Sequence, residues 1–278
     1  MKHLYLLVVA TILFSACKQK EEVPKEWKLS NIVQLEGVNP IGIAEVDGSI
    51  WLSDGDHNRL VQINNQGKIL KTIDSLDRPM HIATDGASLF IPQYGRDNVA
   101  VYKNGNMEEL VVGDSLDAPA GVDVYEREKA IADFYNNRIL FNNGKNWISF
   151  GKEGKKQGEF YYPTDVQITD SLIWVADAYN NRIQVFDKQG NFVKMMGQDQ
   201  KMNAATGIYV SDKEVFITDF ENDRVLIFDK NGNLKQTLKD EIEKPTDMII
   251  MNNTLYIINY RNGKLSSYTL NAVDHKES

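Results

Sequence analysis

The first forty-residue unit of the chain reads Pro40-Ile-Gly42-Ile-Ala-Glu-Val46, Asp47-Gly48, Ser49-Ile50-Trp-Leu-Ser53, Asp54-Gly-Asp-His57-Asn-Arg59, Leu60-Val-Gln-Ile63, Asn64-Asn-Gln-Gly67-Lys68, Ile69-Leu-Lys-Thr-Ile73. Apolar residues alternate at a period of two, and Asp, Asn and Gly fill the gaps. That pattern predicts four short strands, Gly42–Val46, Ile50–Ser53, Leu60–Ile63 and Ile69–Ile73, joined by tight turns. No window has the 3.6-residue period of an amphipathic helix.

The unit recurs. Pro40, Pro79, Pro119, Pro163 and Pro245 each open an alternating stretch, and Ala205 holds the equivalent place in the fifth unit. Glycines in short turns, Gly67, Gly105, Gly144, Gly190 and Gly232, keep nearly the same step. Two unrelated markers with one period near forty residues make a repeat array. Four antiparallel strands per repeat are one blade of a β-propeller. The sixth unit has only three strands, Asp247–Met251, Leu255–Ile258 and Lys264–Tyr268. It would expose an unpaired edge. The segment Asn31–Gly37 looks like an outer strand without a blade of its own, so it is expected to pair with Lys264–Tyr268 and close the ring. The expected fold is all-β: a six-bladed β-propeller of four-stranded antiparallel blades over residues 29–270, followed by a polar tail, 271–278.

The loop after the second strand carries a recurring cluster: Asp54-x-x-His57-x-Arg59, Asp133-x-x-Asn136-x-Arg138, Asp177-x-x-Asn180-x-Arg182 and Asp219-x-x-Asn222-x-Arg224. The second and sixth units depart from it, with Gln93, Arg96 and Asn98, and with Asn259, Asn262 and Lys264. The spacing Asp-x-x-Asn-x-Arg resembles the NHL repeat, over residues 40–270. The resemblance implies a fold and says little about activity, because propellers host binding, scaffolding and catalysis alike. A catalytic residue is needed once, so the repeated aspartates are read as structural and no residue is assigned a catalytic role. They are expected to accept N–H bonds from the loop that follows and to pair with the arginines.

Composition excludes several classes. The chain has 278 residues, 42% hydrophobic and 25% charged, with net charge −8. An acidic chain is repelled by phosphate backbones, so nucleic acid is not an expected partner. One cysteine excludes an internal disulfide or a cysteine-rich zinc site. That cysteine, Cys17, follows Ser15 and Ala16 at the end of an apolar run, Leu4–Phe14. Eleven residues are too few to span a bilayer, so residues 1–16 read as a signal peptide. Small residues before the cysteine resemble the lipobox of bacterial lipoproteins, in which the cysteine is acylated. The charged residues 17–28 read as a flexible tether. Lys20-Glu21-Glu22 resembles the signal that exports lipoproteins of Bacteroidetes-type bacteria to the outer leaflet. The expected location is the bacterial cell envelope, lipid-anchored, at the outer membrane, with the anchor as the only membrane contact.

Residues that differ between units are candidates for function. Two places after the proline stand Gly42, His81, Gly121, Asp165, Gly207 and Asp247, glycine alternating with an ionisable group. His81, Asp165 and Asp247 would meet at the channel mouth, where an imidazole and two carboxylates suit a divalent cation. Directly after the loop aspartate or its equivalent stand Tyr94, Phe134, Phe220 and Tyr260, and one place further Tyr135 and Tyr179; they would put aromatic rings on one rim, suited to a peptide, glycan or protein ligand. The leading expectation is a tethered binding or scaffold propeller. The alternative is a propeller enzyme of lyase or lactonase type with a cation at the mouth. Amidating lyases need several metal-binding histidines, whereas only His57 and His81 lie in the repeats. Glu36-Gly37 is similar to the first motif of gluconolactonases but falls on the closing strand.

Overall fold

A computed structural model describes residues 24–273. Six four-stranded antiparallel sheets follow one another around a ring. Blades one, three, four and five comprise residues 40–73, 119–150, 163–196 and 205–238. Blade two comprises residues 79–109, and blade six joins residues 245–272 to the N-terminal strand. The expected strands of the first unit are present as Pro40–Val46, Ser49–Asp54, Arg59–Ile63 and Ile69–Ile73. Apolar faces of adjacent blades interlock. Trp174, Ile183 and Val185 of blade four pack with Ile208, Ile217 and Phe228 of blade five, for example. The core is therefore a circle of interblade layers rather than one centre.

The ring closes as expected. Lys25–Gln34 pairs antiparallel with Lys264–Ala272, with Ile32 opposite Ser266 and Val33 opposite Leu265. The boundaries differ from the sequence expectation. The strand begins at Lys25, so four residues assigned to the tether belong to the sheet, and its partner runs to Ala272, into the expected polar tail. Trp27 is the physical reason: it is buried and meets Phe216 edge-on at 5.8 Å. A bulge between Leu29 and Asn31 inserts one residue. An extra residue reverses which side chains point to which face. Trp27 and Leu29 consequently pack toward blade five, while Val33 packs toward blade one. One strand locks blade six to both neighbours. Cys17, residues 1–16 and most of the expected tether lie outside the described residues.

Blade two is the irregular one. Its inner strand is reduced to Ala83–Thr84 plus a bridge from Pro79 to Gln93. Met80 N–H donates to the carbonyl of Pro92, but Pro92 has no N–H to return. His81 instead donates its backbone N–H to Ala120 of blade three at 3.0 Å. That bond ties blade two to the neighbouring inner strand, with His81 bridged to Gly121.

Candidate functional site

The repeated cluster is structural, as expected, but its hydrogen bonds run differently. Asp177 is fully buried and accepts from Arg182 Nε at 2.7 Å, Gln184 Nε2 at 3.0 Å and Asn180. The loop N–H it accepts is that of Tyr161, which precedes its own blade rather than following the aspartate. Asp133 and Asp219 accept from Asp117 and Asn203 in the same way. Gln93 and Asn259 repeat this contact with amide oxygens, from Asp77 and Glu243, which explains the departures in blades two and six. The residue before each arginine has a second task. Asn58, Asn137, Asn181 and Asp223 have positive φ, which Asn and Asp tolerate better than other residues. Their side chains accept the N–H of Arg78, Tyr162, Ala204 and Lys244 in the next blade. The motif therefore clasps blades one, three, four and five to their successors.

The alternating set converges on the axis. His81 Nδ1 lies 3.6 Å from an Asp247 carboxylate oxygen and 3.9 Å from one of Asp165. One donor atom from each of the three residues fits within 4.8 Å of the others. Glycine is required between them because the inner strands nearly touch. A Cβ on Gly121 would lie 2.7 Å from the Thr164 carbonyl oxygen, and one on Gly207 would lie 2.3 Å from that of Thr246. The close approach fixes both carboxylates. Asp165 accepts from Val166 N–H and Ile208 N–H, and Asp247 accepts from Met248 N–H and Ile43 N–H, all at 2.8–3.0 Å. His81 Nδ1 is buried with no hydrogen-bond partner, at a cost of about 1–3 kcal/mol.

The cluster is not at an open mouth, where the sequence placed it. All three residues are buried. A cavity of about 230 Å³ reaches Asp165 and Asp247 from the far ends of the inner strands, opposite the linker face. Glu45, Asp123 and Gln167 line it, with Ile43, Ile82 and Val122 as apolar wall. Burial raises the Asp165 pKa to about 7; His81 attraction and two backbone N–H bonds oppose the shift, and Asp247 repulsion adds to it. Burial works against the His81 imidazolium, but Asp165 and then Asp247 outweigh it and raise that pKa. The cluster is acid-rich, desolvated and without a Lys or Arg ion-pair partner among the described residues.

The aromatic set divides. Tyr94, Phe134, Tyr135 and Tyr179 join one patch across blades two to four, with ring centroids 5.1–6.4 Å apart along the connected pairs. Phe220 and Tyr260 form a separate pair at 6.4 Å, and the Tyr260 hydroxyl bonds Asp56 across the ring closure. Sequence reasoning missed two members, Tyr161 and Tyr162. Phe134 stacks on Tyr162 at 4.7 Å, and Tyr161 on Tyr162 at 4.5 Å. They were findable: the equivalent two places just before Pro or Ala are Val38-Asn39, Asp77-Arg78, Asp117-Ala118, Asn203-Ala204 and Glu243-Lys244 elsewhere, never aromatic. Tyr135 and Tyr179 are half exposed, at 49% and 58%. Arg78 lies over the Tyr94 ring at 4.8 Å. Burial and the Tyr135 hydroxyl hold the Tyr94 phenol well above its usual range, so it stays a neutral donor.

Comparison with known proteins fits this architecture. Residues 160–186 match the NHL repeat. A stretch of 47 residues is 45% identical to Protein lin-41 of Caenorhabditis elegans, covering 16% of this chain and 4% of that protein. Solved structures share the fold at low identity. Virginiamycin B lyase from Staphylococcus aureus has a TM-score of 0.65 at 15% identity, covering 88% of this chain and 99% of that one. A gluconolactonase from Xanthomonas campestris has a TM-score of 0.71 at 13% identity, covering 88% and 94%. A chain of the nidogen/laminin complex has a TM-score of 0.61 at 18% identity, covering 84% and 85%. At such identities the likeness is one of fold alone: the chain is a six-bladed propeller that carries NHL-type repeat sequence.

Proposed function

We propose that this chain is a binding propeller that holds a protein or peptide partner on its tyrosine-rich face over blades two to four. The observation that carries the proposal is the unbroken patch of Tyr94, Phe134, Tyr135, Tyr161, Tyr162 and Tyr179. Turn chemistry does not call for six rings there. Tyrosine offers large rigid contact area with little rotamer entropy to lose, which is why it anchors protein interfaces. A polypeptide fits better than a sugar. Stacking among Phe134, Tyr162 and Tyr161 occupies ring faces that a glycan's C–H groups would need. The neighbour from a nidogen/laminin complex is a propeller found with a protein partner, which agrees with this use of the fold.

The reading includes location. Cys17, by its lipobox-like context, would anchor the propeller in a bacterial envelope, at the outer membrane, through the lipid alone. Loss of fatty-acid labelling in Cys17→Ala tests that part. An enzymatic role of lyase or lactonase type is the second reading, favoured only by the axial cluster.

The test of the binding face is selection from a displayed peptide library on wild-type protein and on Tyr135→Ala/Tyr179→Ala. Both rings are half exposed, so the variant should melt like the wild type. Selected peptides should lose at least about 30-fold in affinity if the rings act as interface hot spots. Peptides that bind both proteins equally would refute the proposal. Ring-dependent binding of glycans but not peptides would replace it with a lectin.

A further inference from the structure

We infer that the channel holds one divalent transition-metal cation, of the zinc or manganese class, between His81 Nδ1 and the carboxylates of Asp165 and Asp247. The inference stands on three observations and does not depend on the binding face. His81 Nδ1 is a buried polar atom with nothing to bond, aimed at two carboxylates 3.6 and 3.9 Å away. Buried polar atoms are almost always satisfied, so a missing partner is the economical explanation. Two buried carboxylates share a small space with no Lys or Arg beside them among the described residues. A cation neutralises both at once. The cavity reaches Asp165 and Asp247 and is lined further out by Glu45 and Asp123, giving an acidic path of entry and room for water ligands.

The geometry chooses the class of metal. Ligand bonds of about 2.0–2.1 Å in a tetrahedral site put donors roughly 3.3–3.5 Å apart. His81 and Asp247 are nearly at that spacing, and Asp165 lies a few tenths of an ångström farther from Nδ1, within a set whose donors all fall inside 4.8 Å. With the proton on Nε2, Nδ1 presents its lone pair to the ion. Imidazole with carboxylate favours zinc or manganese, whereas calcium and magnesium prefer oxygen throughout. The backbone groups recorded on the carboxylates are N–H donors, which position them and add no further oxygen ligands. Three protein ligands leave the remaining coordination open to the cavity, the arrangement of a site that can exchange water.

The experiment is metal titration of the full chain after stripping with a chelator. Zinc or manganese alone should bind at one equivalent by calorimetry and raise the melting temperature by mass action. Cobalt(II), as a zinc substitute, should give the visible absorption of a low-coordinate site in the wild type and not in His81→Gln. Asp165→Asn with Asp247→Asn should abolish the one-equivalent binding. If the double variant does not fold, the cobalt spectrum of wild type against His81→Gln decides alone. The inference is overturned if no transition metal binds, if binding survives in His81→Gln, or if calcium or magnesium is the only cation held.

Discussion

Replacing Trp27 with alanine tests whether the ring is latched where the structure puts the latch. Trp27 stands on the outer strand of blade six, 6% exposed, in a cluster with Phe216, Val225, Leu238, Ile242, Met248 and Tyr268. Its indole N–H donates to Glu214 at 3.2 Å, and Gln236 exchanges two hydrogen bonds with its backbone. Truncating a buried tryptophan removes apolar burial and leaves a cavity, together about 3–5 kcal/mol. At this size each kcal/mol lowers the melting temperature by roughly 2–4 °C, so the expected drop is about 6–20 °C. Ile32→Ala is the control: it lies on the same strand but is 41% exposed, and it should cost under about 1 kcal/mol. Calorimetry or urea melts of the two variants decide. A Trp27→Ala protein that melts with the wild type would mean that residues 25–28 are tether and that closure starts beyond the bulge.

Two further outcomes follow from the same contacts. Asp177→Ala should destabilise by about 3–5 kcal/mol in urea melts, because Arg182 would be left buried without its carboxylate; a change under 1 kcal/mol would contradict the structural reading of the repeat motif. Asp123 should weaken the fold as pH rises. Burial lifts its pKa to about 6, against N–H bonds from Ile168 and Val124 and the charge of Lys188, which itself pairs with Glu128. A carboxyl raised above its unfolded value near 3.9 contributes stability below pH 4, and that contribution is lost as pH climbs through 6, about 3 kcal/mol in all. Glu45, Asp165 and Asp247 line the same cavity in both proteins. The comparison is therefore Asp123→Asn against wild type between pH 4 and 7, and parallel stability curves would rule the effect out.

How much of this was legible depends on how each feature is encoded. The blades are written in local periodicity, repeated six times, so errors in one unit are corrected by the others. Closure was legible as a deficit: a three-stranded last unit needs a strand, and only the N-terminal segment was spare. The start of that strand was not legible. Lys25, Glu26 and Lys28 face solvent on an outer strand, and their charges surround the one apolar residue, Trp27, that pins it. The axial cluster was legible because aligned positions of a ring must meet at its centre. Its depth was not, since burial there comes from backbone contact between inner strands at Gly42, Gly121 and Gly207. The aromatic patch was half legible for the opposite reason. Tyr94 and Phe134 share one loop position, Tyr135 and Tyr179 the next, and all four were found by alignment. Tyr161 and Tyr162 come from the linker before Pro163, a different position that the clasp by Asn137 folds under them. Repetition explains what every blade does, and the two candidate sites lie where the units diverge: His81, Asp165 and Asp247 stand where the other three blades carry glycine, and Tyr161 and Tyr162 stand where no other blade has an aromatic residue. In a ring of equivalent units, a site that acts once has to be built from such exceptions.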